Sequence, residues 1–340
     1  MDQYFESYEE LNVNVHQLML SDKPRNLAYK NAIFHCKHLF KDKIVMDVGS
    51  GTGILSVFCA QAGARLVYAV EASNIVEIAK NVIEENELTE KIKIIRSKVE
   101  EIDPDSIEKV DIIISEWMGF YLLHEGMLDS VIFARDTFLK PDGLLFPHKA
   151  KLYAVPCELP SMFSFWDDIH GVSMKCVGKE YRKAKSLKPE ILSLDKESLL
   201  ADEVELSELD LKTISVPEIS KLGGDDYFFV CDKNGRFQGV CMWFTVVFPD
   251  GTQLCTKPGY EVTHWQQTVI ILPEDLEVED GQCIAFKLEL IKDESKPRAY
   301  KIELDILDAD EMQHKVPCDC HMTKCIAIRQ FLSDTMLKCE

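Results

Sequence analysis

Residues 44 to 53 read Ile44-Val-Met-Asp47-Val-Gly49-Ser-Gly51-Thr-Gly53, an apolar run that breaks into three alternate glycines. The run predicts a buried strand over Ile44 to Val48. Glycines directly after it let the backbone turn tightly and approach a ligand closely. Ile54 to Ala62, in helical spacing behind them, puts that turn at a helix N-terminus with N–H groups to offer. A dinucleotide turn would have the spacing G-x-G-x-x-G with an acidic residue about 20 positions on. Here the third glycine comes one residue early, and Asp47 stands immediately before the loop.

Outward from this loop, Lys43 to Pro147 alternates short apolar runs with amphipathic ones. Leu66 to Glu71, Ile92 to Ile95, Val110 to Ser115 and Gly143 to Phe146 predict strands; Ile75 to Asn86 and Leu128 to Leu139 predict helices. The alternation is that of an α/β domain with a parallel sheet. Glu71 closes the second strand, where a carboxylate can accept hydrogen bonds from both hydroxyls of a ribose. Glu100 lies just past the third, where a side chain could meet an adenine edge, and Glu101 is equally available. Gly49, Gly51, Gly53, Asp47 and Glu71 together point to S-adenosylmethionine as the cofactor.

Residues 1–40 read as helical, with Tyr4, Phe5 and Tyr8 near the start, Pro24 marking a helix start, and Asn26 to Ile33 in helical period. After Pro147 the pattern changes to β-branched and aromatic runs: Tyr227 to Cys231, Val240 to Phe248, Thr268 to Leu272, Ile284 to Ile291 and Tyr300 to Leu307. Asp232-Lys-Asn-Gly235 and Pro249-Asp-Gly251 are turns between them. A β-barrel or sandwich follows, interrupted by a charged, helical insertion at about 165–194. The expected division is a helical cap over 1–40, a Rossmann-like domain over 41–147, and a β-barrel domain over 148–340.

The chain has 340 residues, with 38 Lys and Arg against 58 Asp and Glu, a formal charge of 38 − 58 = −20. Such a field repels nucleic acid and attracts basic partners. The 12 cysteines are irregularly spaced, and the start, MDQYFESYEELN, lacks the basic and apolar regions of a signal peptide. Reduced thiols in the cytoplasm or nucleus are expected, and with no run of 18 apolar residues, no membrane span.

Ser115 to Met127, SEWMGFYLLHEGM, follows the fourth predicted strand and carries Glu116 and Glu125. Two carboxylates close together in a partly dry site repel, so one takes up a proton or a cation sits between them. A guanidinium stays charged at any ordinary pH and presents a planar fork of donors, the geometry that suits two carboxylates best.

Taken together, Tyr4-Phe5-Glu-Ser-Tyr8, the DVGSGTG loop, SEWMG followed by Glu125, and Thr263-His264-Trp265 resemble the protein arginine N-methyltransferases over nearly the whole chain. The resemblance implies a Rossmann-like S-adenosylmethionine-binding domain followed by a β-barrel, an N-terminal helical segment over the cofactor, and a helical arm at 165–194 that makes a head-to-tail homodimer. It places His16, Met19 and Arg25 at cofactor-contacting positions, with Arg25 set to pair with the cofactor carboxylate, and it matches Gly49, Glu71 and Glu100 to cofactor positions as well. Pro24 and Asn26 depart from the residues common beside that arginine. Glu116 and Glu125 would hold the substrate guanidinium, and His264, through Asp22 or water, is a candidate acceptor for its proton or a brace for the glutamate loop. Trp265 reads as packing. Met19 and Met127 match the methionines of members that form asymmetric dimethylarginine. Basic proteins, histone tails or Arg/Gly-rich proteins, are the implied substrates, and direct nucleic-acid binding is not expected. Two alternatives stand: a catalytically silent relative that binds or dimerises with an active one, and a methyltransferase acting on a small amine or nucleic acid.

Cys318-Asp-Cys320-His321-Met-Thr-Lys-Cys325 carries metal-ligand residue types. Read as C-x-C-H-x3-C the spacing is too compressed for an easy tetrahedron, so no metal is expected and the stretch reads as reduced thiols in a β segment or tail.

Overall fold

Strand β1 (Ile44–Val48), buried at every position, is the centre of a five-stranded parallel sheet in the order β3-β2-β1-β4-β5, with β2 (Leu66–Glu71), β3 (Ile92–Arg96), β4 (Val110–Ile114) and β5 (Leu139–Phe146). The protein is described by a computed structural model covering residues 13–296, 298–315 and 318–336; Tyr4, Phe5 and Tyr8 lie outside them. Helices α1 (Val13–Ser21), α2 (Lys23–His35) and α3 (Lys37–Phe40) precede the sheet, while α4 (Ile54–Gln61), α5 (Val76–Glu85) and α6 (Met127–Phe138) connect its strands. Strand order reverses between β1 and β4, so the crevice at their carboxyl ends is where a ligand of such a sheet sits. Glycine loop and glutamate loop both leave from that point.

Two antiparallel sheets form the barrel-like second part. The first runs β7-β12-β10-β6-β8, with β11 against β10, and the second β14-β13-β9. Their strands are β6 (Lys149–Cys157), β7 (Glu190–Leu192), β8 (Val204–Asp210), β9 (Lys221–Val230), β10 (Gly235–Val247), β11 (Gln253–Cys255), β12 (Gln267–Val278), β13 (Cys283–Lys292) and β14 (Tyr300–Leu307). The two predicted turns join β9 to β10 and β10 to β11. Strands β6 and β8 carry lysines and glutamates that form cross-strand pairs, Lys151 with Glu205 and Glu208, and on β8 the buried positions, Leu206 and Leu209, fall three apart, so no period of two marks that strand.

Between β6 and β8 the chain forms α7 (Pro160–Phe163), a short 3-10 turn and α8 (Lys175–Lys185). The extent of the predicted arm is corrected. Its last part is β7, registered on β12 from Leu192↔Gln267 to Glu190↔Val269, so the projection is shorter than 165–194. The projection is also anchored: Arg182 lies over the Phe163 ring at 3.7 Å and pairs with Asp275 on β12 at 3.4 Å. Phe165, Val172, Val177 and Leu187 remain exposed. The C-terminal stretch is not a β segment but ends in helix α9 (Thr323–Met336). Among the described residues no helix is long and apolar enough to cross a membrane.

Candidate functional site

Gly49, Gly51 and Gly53 all have positive φ, at 74°, 54° and 86°, a backbone state that residues with a Cβ rarely adopt. A Cβ on Gly49 would fall 2.9 Å from Met127 Cε, and one on Gly51 would lie 3.7 Å from the His16 ring. The loop thus forms a cradle floored by glycine and walled by α1 and the first residue of α6. Four of its N–H groups are already used. Gly49 and Ser50 donate to Val70 O, Gly53 donates to Ser50 O, and Gly51 donates to Glu71 Oε2 at 2.8 Å. These four donors are not on offer to a ligand; the loop supplies space and carboxylate, which suits an adenosyl group better than a phosphate.

Glu71 accepts from Gly51 N and, through Oε1, from Ser73 N, so its carboxylate ties β2 to the glycine loop. Asp47, at the end of β1, is fully buried; Ser56 Oγ donates to its Oδ2 at 2.6 Å and Oδ1 has no hydrogen-bond partner. Burial, and to a lesser extent the charge of Glu71, push the Asp47 carboxyl up to about 7. Asp47 thus lies under the cradle, bound to the helix behind it. His16, on α1, is buried against the loop; burial lowers its imidazole while Glu71 pulls the other way. Glu100 is exposed and accepts from Ser130 Oγ at 2.6 Å, and Glu101 pairs with Lys98.

The glutamate loop follows β4. Ser115 Oγ donates to Val48 O and Tyr29 OH to Ser115 O, which fixes the loop to β1 and α2. The turn is tight: Gly119 bridges Leu122, and a Cβ on Gly119 would strike His124 O at 1.9 Å. Tyr121, Leu122 and Glu125 take positive φ, and Glu125 N donates to Arg298 O. Such strain in side-chain-bearing residues marks a loop whose shape is imposed by its surroundings.

Arg25 reaches the glutamate loop. Its Nε and Nη2 both donate to Glu116 Oε2, at 3.0 and 2.8 Å, while Nη1 reaches Asn26 Oδ1 and Met19 O. Asn26, one of the two departures noted in the sequence, props this fork; the other, Pro24, is at the first turn of α2. Glu116 Oε1 is buried with no hydrogen-bond partner among the described residues. Burial first, and the charge of Glu116 second, raise the Glu125 carboxyl to about 8, against a weaker opposing pull from Arg298. The competition anticipated for two close carboxylates is therefore resolved asymmetrically: Arg25 holds one, and the other takes a proton.

Asp22 caps α2, accepting from Arg25 N at 3.0 Å, and receives both the backbone N and Nδ1 of His264 on Oδ2, at 2.9 and 2.6 Å. Burial works to raise its carboxyl, but the bonds from His264 and Arg25 outweigh it and hold Asp22 low. Ionised Asp22 keeps a proton on Nδ1 of His264 and so fixes the orientation of the ring. Trp265, read from sequence as packing, donates from Nε1 to Met118 O at 2.8 Å; this indole braces the glutamate loop, while the His264 side chain engages Asp22 instead. Met127 lines the glycine cradle, and Met19 contributes its carbonyl to Arg25 and to Asp22 N. Tyr29, Trp265 Nε1 and Arg298 O were not legible as loop supports, because each acts from a distant segment, and Ser115, within the loop, was not legible because its partner Val48 O lies 67 positions away.

Residues 148–308 match the family model of the arginine methyltransferase oligomerization subdomain, and residues 35–124 that of the ribosomal protein L11 methyltransferase (PrmA). Protein arginine N-methyltransferase 6 of Danio rerio is 37% identical over 321 residues, covering 92% of this chain and 90% of that protein. Protein arginine N-methyltransferase 1 of Caenorhabditis elegans is 37% identical over 312 residues, 89% of this chain and 87% of its own. Among solved structures, the Trypanosoma brucei PRMT1 enzyme-prozyme heterotetrameric complex with AdoHcy superposes with a TM-score of 0.77 at 31% identity, covering 91% of this chain and 98% of that chain. The crystal structure of PRMT6-SAH gives a TM-score of 0.77 at 30% identity, covering 87% and 100%.

Proposed function

The chain belongs to the protein arginine N-methyltransferases, and from that premise we propose that it transfers methyl groups from S-adenosylmethionine to the guanidinium of arginine in basic proteins, giving monomethylarginine and then asymmetric dimethylarginine. The observation that carries the reading is the pair of glutamates: a buried Glu116 oxygen without a partner beside a Glu125 carboxyl pushed up to about 8. A pocket of that kind selects a cation with several donors.

S-adenosylmethionine supplies an electrophilic methyl group on a sulfonium. The residues present fit its adenosyl part, because the glycine cradle has room that a Cβ would fill and Glu71 closes its rim. His16 and Arg25 cover it from α1 and α2. Glu116 Oε1 and Glu125 take two edges of the substrate guanidinium, orient the reacting nitrogen, and draw positive charge away from it. Entry of that cation displaces the Glu125 proton. His264 Nε2, with Nδ1 locked on Asp22, accepts the proton lost from nitrogen by way of water. Met19 and Met127 shape the space beside the nitrogen and leave room for a second methyl group on it.

The net charge of −20 favours basic protein substrates over nucleic acid; histone tails and Arg/Gly-rich proteins have the required charge. Exposed Phe165, Val172, Val177 and Leu187 on the projection, and Leu18, Leu20 and Leu27 on α1 and α2, are complementary apolar faces for a head-to-tail homodimer through that arm. The described cysteines are free thiols, consistent with the cytoplasm or nucleus. Incubation with methyl-labelled cofactor and an Arg/Gly-rich peptide, beside its Lys counterpart, tests the activity: label on the arginine peptide alone is expected. Label on neither would favour a silent, partner-binding relative, and mass spectrometry showing only symmetric product would overturn the asymmetric assignment.

A further inference from the structure

Beyond residue 308, where the oligomerization subdomain match ends, the chain gathers four side chains that methyl transfer does not use. His314 Nε2 lies 3.0 Å from Cys325 Sγ and 3.5 Å from Cys320 Sγ; Cys318 Sγ lies 3.0 Å from Cys320 Sγ and 3.3 Å from Cys325 Sγ. All four ligand atoms fall within 4.8 Å of one another. We propose that His314, Cys318, Cys320 and Cys325 form a tetrahedral site for a structural zinc ion that clips the C-terminal segment to the barrel.

Zinc bonds of about 2.3 Å to sulfur and about 2.0 Å to nitrogen set tetrahedral ligand atoms about 3.5 to 3.8 Å apart, so these atoms reach that arrangement by small outward movements. Three sulfurs and an imidazole nitrogen facing one another are crowded as neutral groups and compatible as ligands of one cation. Cys320 and Cys325 are fully buried. The surroundings position each donor. Phe228, on β9, stacks on the His314 ring at 4.2 Å and 5°, while Nδ1 has no hydrogen-bond partner, so stacking orients the ring. Arg329 on α9 donates to the carbonyls of Cys318 and Cys320, which holds the Cys318–Cys320 turn without engaging a sulfur. Cys325 sits in the first turn of α9, its N–H on Met322 O. A set of three thiolates and one imidazole leaves no open position, the arrangement of a structural rather than a catalytic ion.

The sequence reading chose the wrong histidine. His321 turns away: its N–H donates to Gly281 O, and its ring lies against Gly281, where a Cβ would meet Nε2 at 2.2 Å. With His314 the spacing becomes H-x3-C-x-C-x4-C, and two adjacent residues, Cys320 and His321, no longer both have to reach one ion. The expectation of no metal rested on that mistaken ligand set.

The experiment uses the full chain produced with zinc in the medium. Elemental analysis should give one zinc per chain, and exchange with cobalt should give the visible bands of tetrahedral cobalt with sulfur ligands. Cys325→Ser and His314→Ala should lose the metal, and His321→Ala should keep it. Should those variants not fold, the wild-type protein treated with a zinc chelator serves instead: it should melt at lower temperature and become cleavable by protease in 309–336, both reversed by added zinc. Protein that carries no zinc and takes up no cobalt overturns the proposal. So does a disulfide among the three cysteines found by alkylation and mass spectrometry of freshly lysed cells, or loss of the metal in His321→Ala.

Discussion

The glycine loop and the glutamate loop leave adjacent strands of one sheet, β1 and β4, yet they are held in opposite ways. Asp47 to Gly53 is secured by its neighbours in the chain and by the next strand: Val70 O, Ser56 Oγ and Glu71. Ser115 to Met127 is secured from far away, by Arg25 and Tyr29 on α2, Trp265 before β12 and Arg298 between β13 and β14. A cradle for a constant cofactor can be built locally. A pocket that must hold two carboxylates together against their repulsion needs charge and hydrogen bonds imported from elsewhere, so its integrity reports on the assembly of the whole chain.

The two glutamates give the largest break in that comparison. Glu116→Gln leaves the Arg25 guanidinium, 7% exposed, without its carboxylate, and breaking such a buried pair costs about 3 to 5 kcal/mol. Both denaturation midpoint and methyl transfer should collapse. Arg25→Gln added to it should recover much of the stability and none of the activity. A single variant as stable as wild type would sever the imported-charge account. Glu125→Gln should behave differently, because near neutral pH the wild-type carboxyl, raised to about 8, is itself protonated and the amide resembles it. Stability at pH 7 should be almost unchanged and cofactor binding retained, with transfer down about 100- to 1,000-fold. Wild-type rates in Glu125→Gln would remove the loop from the chemistry.

A raised carboxyl sharpens the same point through pH. Folded Glu125 binds its proton up to about 8 whereas the unfolded residue releases it near pH ~4.3, so its contribution to stability is complete below that value and lost as pH rises toward 8. Substrate arginine needs the ionised form. Accordingly kcat/KM should climb as pH rises from ~6 toward the value of this carboxyl and then level off, and calorimetry in buffers of different ionisation enthalpy should detect proton release on binding an Arg/Gly-rich peptide. A flat profile together with no proton release would mean that Glu125 is ionised before substrate arrives.

The same contrast explains what could be read in advance. Strand β1, strand β2 and the cradle glycines stand where periodicity and turn chemistry placed them, since those signals act over a few residues. Strands β6 and β8 escaped because their lysines and glutamates pair across the sheet and, on β8, because the buried Leu206 and Leu209 fall three apart; β7 escaped because three residues carry no period. In the site, Glu116 and Glu125 were legible as a pair wanting a cation, but the cation found, Arg25, lies 91 positions away and sequence order does not show it. Trp265 was read as packing for the same reason: apolar surroundings announce an indole ring, and only tertiary placement reveals that its N–H meets Met118 O. Asp22 likewise carries two duties, capping α2 and seating His264, of which a chain position ahead of Pro24 announces the first.

A milder way to loosen the imported support is Trp265→Phe, which keeps an aromatic ring in the core but removes the donor to Met118 O. Loss of one buried hydrogen bond costs about 1 to 2 kcal/mol. The midpoint of denaturation should fall by that amount, and kcat should fall about tenfold as Glu116 and Glu125 lose their register, while the affinity for S-adenosylhomocysteine, a matter for the glycine loop, stays put. Equal losses in cofactor affinity and in kcat would show that the two loops are one mechanical unit.

The smallest effect should come from the residue that touches both loops. Met127 starts α6 directly after Glu125 and Gly126, and its Cε lies 2.9 Å from where a Cβ on Gly49 would be. Met127→Phe replaces a flexible thioether with a rigid ring of larger volume, at a cost of about 1 to 3 kcal/mol if the surroundings cannot adjust. Because Met127 is half-buried rather than enclosed, the lower end is expected, and the first methyl transfer should slow only a few-fold. The second transfer needs room beside a nitrogen that already carries a methyl group, and the ring removes part of it. The ratio of dimethyl to monomethyl product, followed by mass spectrometry at matched turnover, should therefore drop well before the rate does. An unchanged ratio with a slowed first step would place Met127 with the cradle alone and take it out of the substrate pocket.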